Sequence, residues 1–205
     1  MNDTYASKTD ARGGTILYTA AEIKYGINYV AHQLDARLSN GTRDNVDFVV
    51  VLNGGKFFAN RLLPQLWGKN NGDKYGRVQT IKISTYGSKQ ESSRELKIDK
   101  ELDHPVAARK VVVLEDLLDT GFTVSELKKL LLEREASQVI VAALVNKPAL
   151  RIKKNDETPV IKPDIWAVQY DGVHWLYGCG MNIGDDESTR DLTDIWKVPP
   201  ITKHF

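Results

Sequence analysis

The chain has 205 residues, and its 28 basic and 27 acidic side chains leave a formal net charge of +1. This balance lacks the charge excess of nucleic-acid-binding and membrane-binding proteins, and the length suits one sizeable core rather than two full domains. One cysteine, Cys179, cannot form an internal disulfide, and no apolar run reaches the ~20 residues that span a bilayer. The N-terminus lacks the apolar core of a signal peptide. We therefore expect a soluble, cytoplasmic protein with neither nucleic-acid nor membrane partners.

The first patterned segment follows a polar stretch that covers residues 1 to about 14. Its apolar residues at helical spacing are Ile23, Ile27, Val30, Ala31 and Leu34. Thr19 and Glu22 have the spacing of a capping box, and Asn40-Gly41 supplies a stop. This pattern predicts a surface helix that packs on a sheet.

A strand followed by glycines and a helix is predicted next. Val46 to Leu52 is a β-branched apolar run, Asn53-Gly54-Gly55 follows it, and residues 57–68 have a helical pattern. Backbone N–H groups at such a turn can bind an anion, although the glycines could instead serve only the turn itself.

The polar stretch after the next predicted strand has two interpretations. Val78 to Ser84 alternates like a strand, and residues 85–99, TYGSKQESSRELKID, are nearly free of apolar anchors. A long stretch without predicted structure inside a compact domain is usually functional or disordered. It can be a mobile lid over a site or a plain flexible hairpin.

The segment Lys110–Leu130 combines the features of a ribose-phosphate site. Val111 to Leu114 is typical of a strand buried on both faces, and Glu115 and Asp116 follow at its carboxyl end, where open α/β sheets bind ligands. The turn residues Asp119, Thr120, Gly121 and Thr123 then lead into an amphipathic helix. Any two of these features also occur as ordinary capping. Together they predict carboxylates for sugar hydroxyls beside backbone amides for a phosphate.

Two more strands are predicted in the C-terminal half. Gln138 to Val145 is a buried strand that ends at Asn146-Lys147-Pro148, and Ile165 to Tyr170 is another strand. A turn at Gly172 then opens the segment VHWLYGCGM, residues 173–181. The alternation of strands and helices predicts an α/β fold.

The motif E-D-L-L-D-T-G-F-T, residues 115–123, resembles the phosphoribosyl-diphosphate (PRPP) motif of type I phosphoribosyltransferases, most closely the hypoxanthine-guanine branch. The resemblance implies a central, mostly parallel sheet flanked by helices, in one phosphoribosyltransferase domain covering residues 1–205. Its core would span about 40–150. A small hood would span about 160–205 with part of the N-terminus, and the strands at 165–170 and 173–181 would belong to that hood.

The resemblance also implies roles for the motif residues. The PRPP-binding residues would be Glu115, Asp116, Asp119, Thr120, Gly121, Phe122 and Thr123. Asp119 would also face the base and transfer a proton. The segment LNGGKFFANRLL resembles the pyrophosphate loop of the family, so Asn53, Gly54 and Gly55 would bind pyrophosphate together with Arg190. Asn53 stands where the family has a lysine, and the bond before it would be cis.

Further roles follow from the same resemblance. Lys147, Trp175 and Leu176 would bind the base, although a direct alignment puts Asn146 at the family lysine. The lid would include Thr85 and Tyr86. The cofactor would be Mg²⁺, for which oxygen ligands are typical. Its ligands would be Glu115, Asp116 and Asp185, with Asn182 or Asp186 as alternatives to Asp185.

The function implied is transfer of the 5-phosphoribosyl group from PRPP to a 6-oxopurine, hypoxanthine or guanine, giving the nucleoside monophosphate and pyrophosphate. Xanthine or another base is an alternative substrate. A non-catalytic PRPP sensor that binds nucleic acid is a second alternative, which the balanced charge disfavours. A homo-oligomer, dimer or tetramer, is expected from the family.

Overall fold

The computed structural model describes residues 10, 12–39, 45–68, 76–86, 95–151 and 161–198. The helices are α1 (Ala20–Leu38), α2 (Gly55–Gly68) and α3 (Phe122–Glu133). The strands are β1 (Thr15–Tyr18), β2 (Val46–Leu52), β3 (Arg77–Tyr86), β4 (Glu95–Lys100), β5 (Lys110–Leu118), β6 (Gln138–Asn146), β7 (Ile165–Gln169), β8 (Trp175–Tyr177) and β9 (Ile195–Val198). Short 3₁₀ helices cover Pro148–Leu150 and Glu187–Asp191. Within the described ranges, no helix has the length and apolar character needed to cross a membrane.

The central sheet has six strands in the order β4-β3-β2-β5-β6-β7. The pairs β3-β2, β2-β5, β5-β6 and β6-β7 are parallel, and β4 runs antiparallel on the edge. Because parallel strands share one direction, the carboxyl ends of β2, β5 and β6 lie at the same edge. The loops after these strands are therefore brought together, as the predicted α/β fold requires.

Each face of the sheet is covered by helices. Val50, Val112 and Leu144 pack into a core with residues of α1 and α2, whereas Val49, Val111 and Val113 pack with Leu127 and Leu131 of α3. The alternation along β2 and β5 is the period-2 pattern of strands buried on both sides. The predicted capping box at the start of α1 is confirmed, since Thr19 and Glu22 bond each other's backbone N–H groups. Asn40-Gly41, the predicted stop, lies outside the described residues.

A second, antiparallel sheet has the order β1-β9-β8 and forms the hood. It joins β1, near the N-terminus, to β8 and β9 from the C-terminal part of the chain. The expectation that residues 165–170 belong to the hood is wrong, because β7 pairs in parallel with β6 and packs against α1 as part of the central sheet. The buried side of Ile165 continues the core of that sheet, so its burial is explained by α1 rather than by a hood.

The polar stretch at 85–99 is more ordered than its composition predicts. Thr85 and Tyr86 are the last residues of β3 and pair with Leu96 and Glu95 of β4. The expectation of a structureless segment is therefore wrong at both ends, because a strand on the edge of a sheet can be stabilised by backbone pairing without apolar anchors. Residues 87–94 between the two strands lie outside the described residues.

A buried ion cluster lies at the amino end of β2, opposite the edge at which the loops converge. Asp47 is fully buried and accepts hydrogen bonds from Arg77 Nη2 to Oδ2 at 2.6 Å and from Arg109 Nε to Oδ1 at 2.8 Å. Gln79 Nε2 donates to Oδ2 of the same carboxylate at 2.8 Å. Because a buried charge is costly unless it is paired and hydrogen-bonded, these partners make the carboxylate tolerable in the core.

Candidate active site

A cavity of about 330 Å³ opens at the carboxyl ends of β2 and β5. The predicted residues in its wall are Asn53, Gly54, Glu115, Asp116, Asp119, Thr120, Gly121, Thr123 and Arg190. They come from the turn after β2, the end of β5, the start of α3 and the second 3₁₀ helix. Three separate stretches of the chain, each of them singled out in the sequence, therefore enclose one space: residues 53–54, residues 115–123 and Arg190.

Two predicted residues stand behind this wall rather than in it. Gly55 begins α2 and packs on β5, since a Cβ atom there would lie 2.6 Å from the Leu114 carbonyl oxygen. Phe122 begins α3, and its N–H points to Thr120 Oγ1 at 3.5 Å. Both residues shape the turns that border the cavity.

The turn after β2 approaches the acidic end of β5 closely. The Leu52–Asn53 peptide bond is cis, which confirms the geometry implied by the resemblance. A Cβ atom on Gly54 would lie 1.8 Å from Asp116 Oδ2 and 2.3 Å from its Cγ. Only glycine leaves room for this carboxylate, so Gly54 and Asp116 form one packed unit in the cavity wall.

The carboxylates at the end of β5 are electrostatically unusual. Glu115 is 7% exposed, and its burial raises its pKa well above the ordinary value, with a further contribution from the charge of Asp116. Within the described part of the chain, no lysine or arginine forms an ion pair with either carboxylate. Positive charge supplied by a ligand or a cation would therefore favour the ionised form of Glu115.

The turn from β5 into α3 has the backbone of an anion site. Gly121 is the N-cap of α3 with φ +79°, and no side chain caps the helix there. A Cβ atom at this position would also lie 2.6 Å from Ile161 Cγ2. The first N–H groups of a helix have no partner within the helix, and Thr123 in this turn lines the cavity.

A second cavity of about 260 Å³ adjoins the first, and Asp116, Leu117 and Asp119 line both. The other residues in its wall are Lys147, Trp175, Leu176, Met181 and Asn182. The three predicted base-binding residues, Lys147, Trp175 and Leu176, are thus brought together. Trp175 is 51% exposed, whereas Leu176 is buried, so the indole is the accessible part of this wall.

An ion pair spans the boundary of the two cavities. Lys147 Nζ lies 3.0 Å from Asp119 Oδ2, and Lys147 is only 2% exposed. The other carboxylate oxygen, Asp119 Oδ1, is buried without a hydrogen-bond partner within the described residues. A buried acceptor of this kind is costly, whereas the rest of the carboxylate is accessible, since the Asp119 side chain as a whole is 30% exposed.

The structure separates the two candidates for the lysine position. Asn146 donates from Nδ2 to Gln169 Oε1 at 2.8 Å and accepts a bond from Arg151, and it is not in the wall of the second cavity. Lys147, the next residue, reaches that cavity. Successive side chains of an extended chain point to opposite faces. Asn146 and Lys147 are adjacent, so only one of the two side chains can reach the second cavity.

Arg190 enters the first cavity from the hood side. Its guanidinium donates to Asn182 Oδ1 at 2.8 Å, to the carboxylate of Glu187 and to the Gly180 carbonyl oxygen. Gly180 has φ +101°, and a Cβ atom there would lie 2.2 Å from the Gly54 carbonyl oxygen. The hood therefore meets the turn after β2 through backbone, which brings the predicted pyrophosphate residues to one location.

The late acidic residues lie apart from the acidic end of β5. Asp185 is exposed in a turn and is absent from both cavity walls. Asp186 caps the second 3₁₀ helix by accepting from Ser188 N at 3.1 Å. Asn182 is the member of this group that lines the second cavity. The side chains of Thr85 and Tyr86 lie outside the described residues, and their lid role stays a prediction.

Two residues in the wall of the second cavity were not identified from the sequence. Leu117 and Met181 supply apolar surface to the second cavity. Leu117 lies in the last part of β5. The predicted strand ended at Leu114, because Glu115 and Asp116 interrupt the apolar run. Strand alternation continued through the acidic pair would have included Leu117. For Met181 we find no local signal.

The chain resembles known proteins in sequence. The model of a family described as "Phosphoribosyl transferase domain" matches residues 15–178. The hypoxanthine-guanine phosphoribosyltransferase of Bacillus subtilis (strain 168) is 31% identical over 141 residues, which are 67% of this chain and 75% of that protein. The hypoxanthine phosphoribosyltransferase of Escherichia coli (strain K12) is 29% identical over 136 residues, which are 66% of this chain and 72% of that protein.

Solved structures have the same fold. A hypoxanthine phosphoribosyltransferase from Staphylococcus aureus matches with a TM-score of 0.75 at 23% identity, over 90% of this chain and 91% of that one. The Trypanosoma cruzi hypoxanthine phosphoribosyltransferase matches with a TM-score of 0.74 at 22% identity, over 90% and 96%. Taken with the sequence matches and the convergence of the motif residues on one cavity, the chain belongs to the phosphoribosyltransferase family and has its type I fold.

Proposed function

We propose that this phosphoribosyltransferase transfers the 5-phosphoribosyl group from PRPP to a 6-oxopurine, releasing pyrophosphate. The observation that carries the proposal is the pair of adjoining cavities with Asp116 and Asp119 in their common wall. One cavity has carboxylates and a helix N-terminus for a sugar phosphate. The other has the exposed indole of Trp175, the ammonium of Lys147 and the carboxylate of Asp119, which together suit an aromatic base with polar edges. The names of the curated relatives support hypoxanthine and guanine as the bases.

The reacting parts would be held in line by residues from both cavities. The amides of the Asp119–Thr123 turn would bind the 5-phosphate, and Glu115 and Asp116 the ribose hydroxyls. Gly54 and Arg190 would bind pyrophosphate and stabilise the charge that it gains as it departs. Because the base nitrogen is the attacking group, the protein contributes orientation and charge rather than a nucleophile of its own.

The base would lie between Trp175 and the acidic end of β5. Base stacking on an aromatic side chain contributes ~1–3 kcal/mol. Lys147 Nζ would donate to the 6-oxo group, and the carboxylate of Asp119 would accept a proton from the imidazole ring of the purine. Asp119 lines the second cavity and its side chain is 30% exposed, so a base in that cavity can reach the carboxylate.

Mg²⁺ fits the donor set at the end of β5. Glu115 and Asp116 offer carboxylate oxygens, and burial already penalises the ionised Glu115 in the absence of a positive charge. The described residues contain no cluster of three or more histidine, cysteine or acidic side chains. An ion that takes its other ligands from substrate and water, as Mg²⁺ commonly does, suits such a site. When bound, Mg²⁺ would supply positive charge next to the ribose hydroxyls and pyrophosphate.

A substrate panel tests the proposal. We expect radioactive hypoxanthine or guanine, incubated with PRPP, Mg²⁺ and the protein, to give the nucleoside monophosphate, and adenine and uracil to serve as controls. Xanthine in the same panel separates the alternative base preference. Omission of Mg²⁺ should abolish turnover. The absence of nucleotide from hypoxanthine, guanine and xanthine would refute the proposal. The cytoplasmic location and the homo-oligomer stay predictions.

Gly54→Ala should weaken PRPP binding. The added methyl group would meet the Asp116 carboxylate at 1.8 Å, so the carboxylate or the turn must move. Overpacking of this kind costs about 1–3 kcal/mol, which corresponds to a rise of about 5- to 150-fold in the KM for PRPP if the whole cost falls on binding. Gly68→Ala is the matched control, because nothing lies within 4 Å of a Cβ atom there. Equal kinetics for the two variants would show that the Gly54–Asp116 contact does not shape the site.

A further inference from the structure

The turn before β1 is anchored to the hood by one carboxylate. Asp10 Oδ1 accepts the backbone N–H groups of Arg12 and Gly14, each at 2.9 Å. Asp10 Oδ2 accepts the hydroxyl of Tyr177 at 2.7 Å, and Tyr177 is fully buried in β8. This turn is therefore held against the strand that also carries the indole of the base cavity.

Arg12 connects this turn to the segment that contains Arg190. Its guanidinium lies 3.2 Å from Asp10 Oδ2 through Nη1 and forms an ion pair with Asp186 through Nη2. Asp186 is the N-cap of the second 3₁₀ helix, and its carbonyl oxygen accepts the hydroxyl of Thr189 at 2.8 Å. Thr189 is buried and is followed directly by Arg190. A continuous set of contacts thus runs from the N-terminal turn to the pyrophosphate arginine.

The orientation of Arg190 depends on this short helix. Two of the side chains that hold its guanidinium, Asn182 and Glu187, lie in the same segment as Asp186. Glu187 is exposed and three residues from Arg190, so it moves with the helix and cannot fix the helix in space. Backbone hydrogen bonds from Gly180 N–H to the Arg190 carbonyl oxygen and from Cys179 N–H to the Leu192 carbonyl oxygen hold the C-terminal end of the helix. Arg12 holds its N-terminal end, through Asp186.

We propose that Arg12 and Asp186 form a clasp that positions Arg190 for the pyrophosphate group, which makes Arg12 a positioning residue for the affinity for PRPP and pyrophosphate. The clasp rests on the proposed function through the role of Arg190. Neither Arg12 nor Asp186 lies in the region 15–178 that matches the family model. The clasp is thus a feature of this chain beyond the matched domain.

Arg12→Gln and Asp186→Asn remove the ion pair while they keep hydrogen-bonding side chains, and asparagine remains a good N-cap. We expect each to raise the Kd of Mg²⁺-pyrophosphate, measured by titration calorimetry, and the KM for PRPP by about three- to tenfold. The KM for the base should stay unchanged, because the Asp10–Tyr177 bond to β8 is intact. Arg134→Gln is the matched control, since Arg134 pairs with Glu101 at 2.6 Å in an ion pair that involves neither cavity wall.

Two further measurements separate positioning from general loss of structure. The double variant should be no weaker than either single variant, because both remove the same contact. At ~1 M salt, where the Debye length is about 3 Å, the ratio between the Kd values of Arg12→Gln and the unsubstituted protein should approach one.

Unchanged pyrophosphate affinity in Arg12→Gln would overturn the clasp, as would an equal rise in the KM for the base or additive effects in the double variant. If the unsubstituted protein converts no purine yet binds pyrophosphate, the proposed function fails and the pyrophosphate Kd values still decide the clasp. If it binds no pyrophosphate, both proposals fall.

Discussion

Asp119→Asn should lower the turnover number by about 10²- to 10⁴-fold while the KM for PRPP stays within about twofold, the range expected for loss of a general base. The carboxylate contacts both cavities, with Oδ2 on Lys147 and Oδ1 without a partner within the described residues. Asparagine has nearly the same shape and can still accept a hydrogen bond, but it cannot take a proton from the base. The contacts proposed between the sugar phosphate and Thr120, Gly121 and Thr123 do not depend on the negative charge of the Asp119 carboxylate.

Steady-state kinetics with hypoxanthine at saturating PRPP measure this effect, and PRPP binding is measured separately by calorimetry. Asp103→Asn is the control, because Asp103 is exposed and pairs with Lys100 on the surface. Unchanged turnover in Asp119→Asn would remove Asp119 from proton transfer. A loss of PRPP binding with turnover preserved would instead assign it to the sugar-phosphate site.

Asp47→Ala should lower the free energy of unfolding by about 3–5 kcal/mol, the range found when one partner of a buried ion pair is removed. The carboxylate is fully buried, and without it Arg77, Arg109 and Gln79 lose their shared acceptor. The guanidinium groups of Arg77 and Arg109 would then lose the buried carboxylate that they share. Urea unfolding followed by circular dichroism gives the difference, provided that the slope of the transition is unchanged.

Asp103→Ala is the corresponding surface control, since an exposed pair contributes about 0–1 kcal/mol. A similar loss of unfolding free energy in both variants would show that the buried Asp47 cluster contributes no more to stability than the exposed Asp103–Lys100 pair. The KM for PRPP of folded Asp47→Ala should match that of the unsubstituted protein, because Asp47 lies at the amino end of β2 and the cavities lie at the carboxyl ends. A changed KM would mean that the cluster also shapes the site.

The elements predicted from the sequence are those with strong local patterns. β2, β6 and α1 have β-branched runs or helical spacing that burial requires, and their bounds were predicted to within a few residues. β1 and β4 were missed because each is short and depends on pairing. β1 pairs with β9, whose residues lie about 180 positions away in sequence, and such a partner leaves no trace in the local composition. β7 was assigned to the wrong sheet although its partner β6 is near in sequence, because local composition does not show with which strand it pairs.

Site residues were likewise predicted where they are contiguous in sequence and missed where only tertiary structure brings them together. The segment 115–123 is contiguous, so its composition alone predicted the sugar-phosphate wall. The choice between Asn146 and Lys147 depends on a register step at the end of β6, which spacing cannot determine. Arg12 and Asp186 are far apart in sequence, and their contact exists only because the hood brings them together. Sequence motifs thus predicted the parts of the site, and tertiary structure determined how they are oriented.

The backbone contact between Gly180 and Gly54 limits how this enzyme can diverge. A side chain at residue 180 would meet the Gly54 carbonyl oxygen at 2.2 Å, so no substitution there can adjust the gap between hood and sheet by small steps. We therefore expect a wider or narrower gap to come from a change in the length of the loops that leave this contact, such as residues 182–187, rather than from a side chain at residue 180.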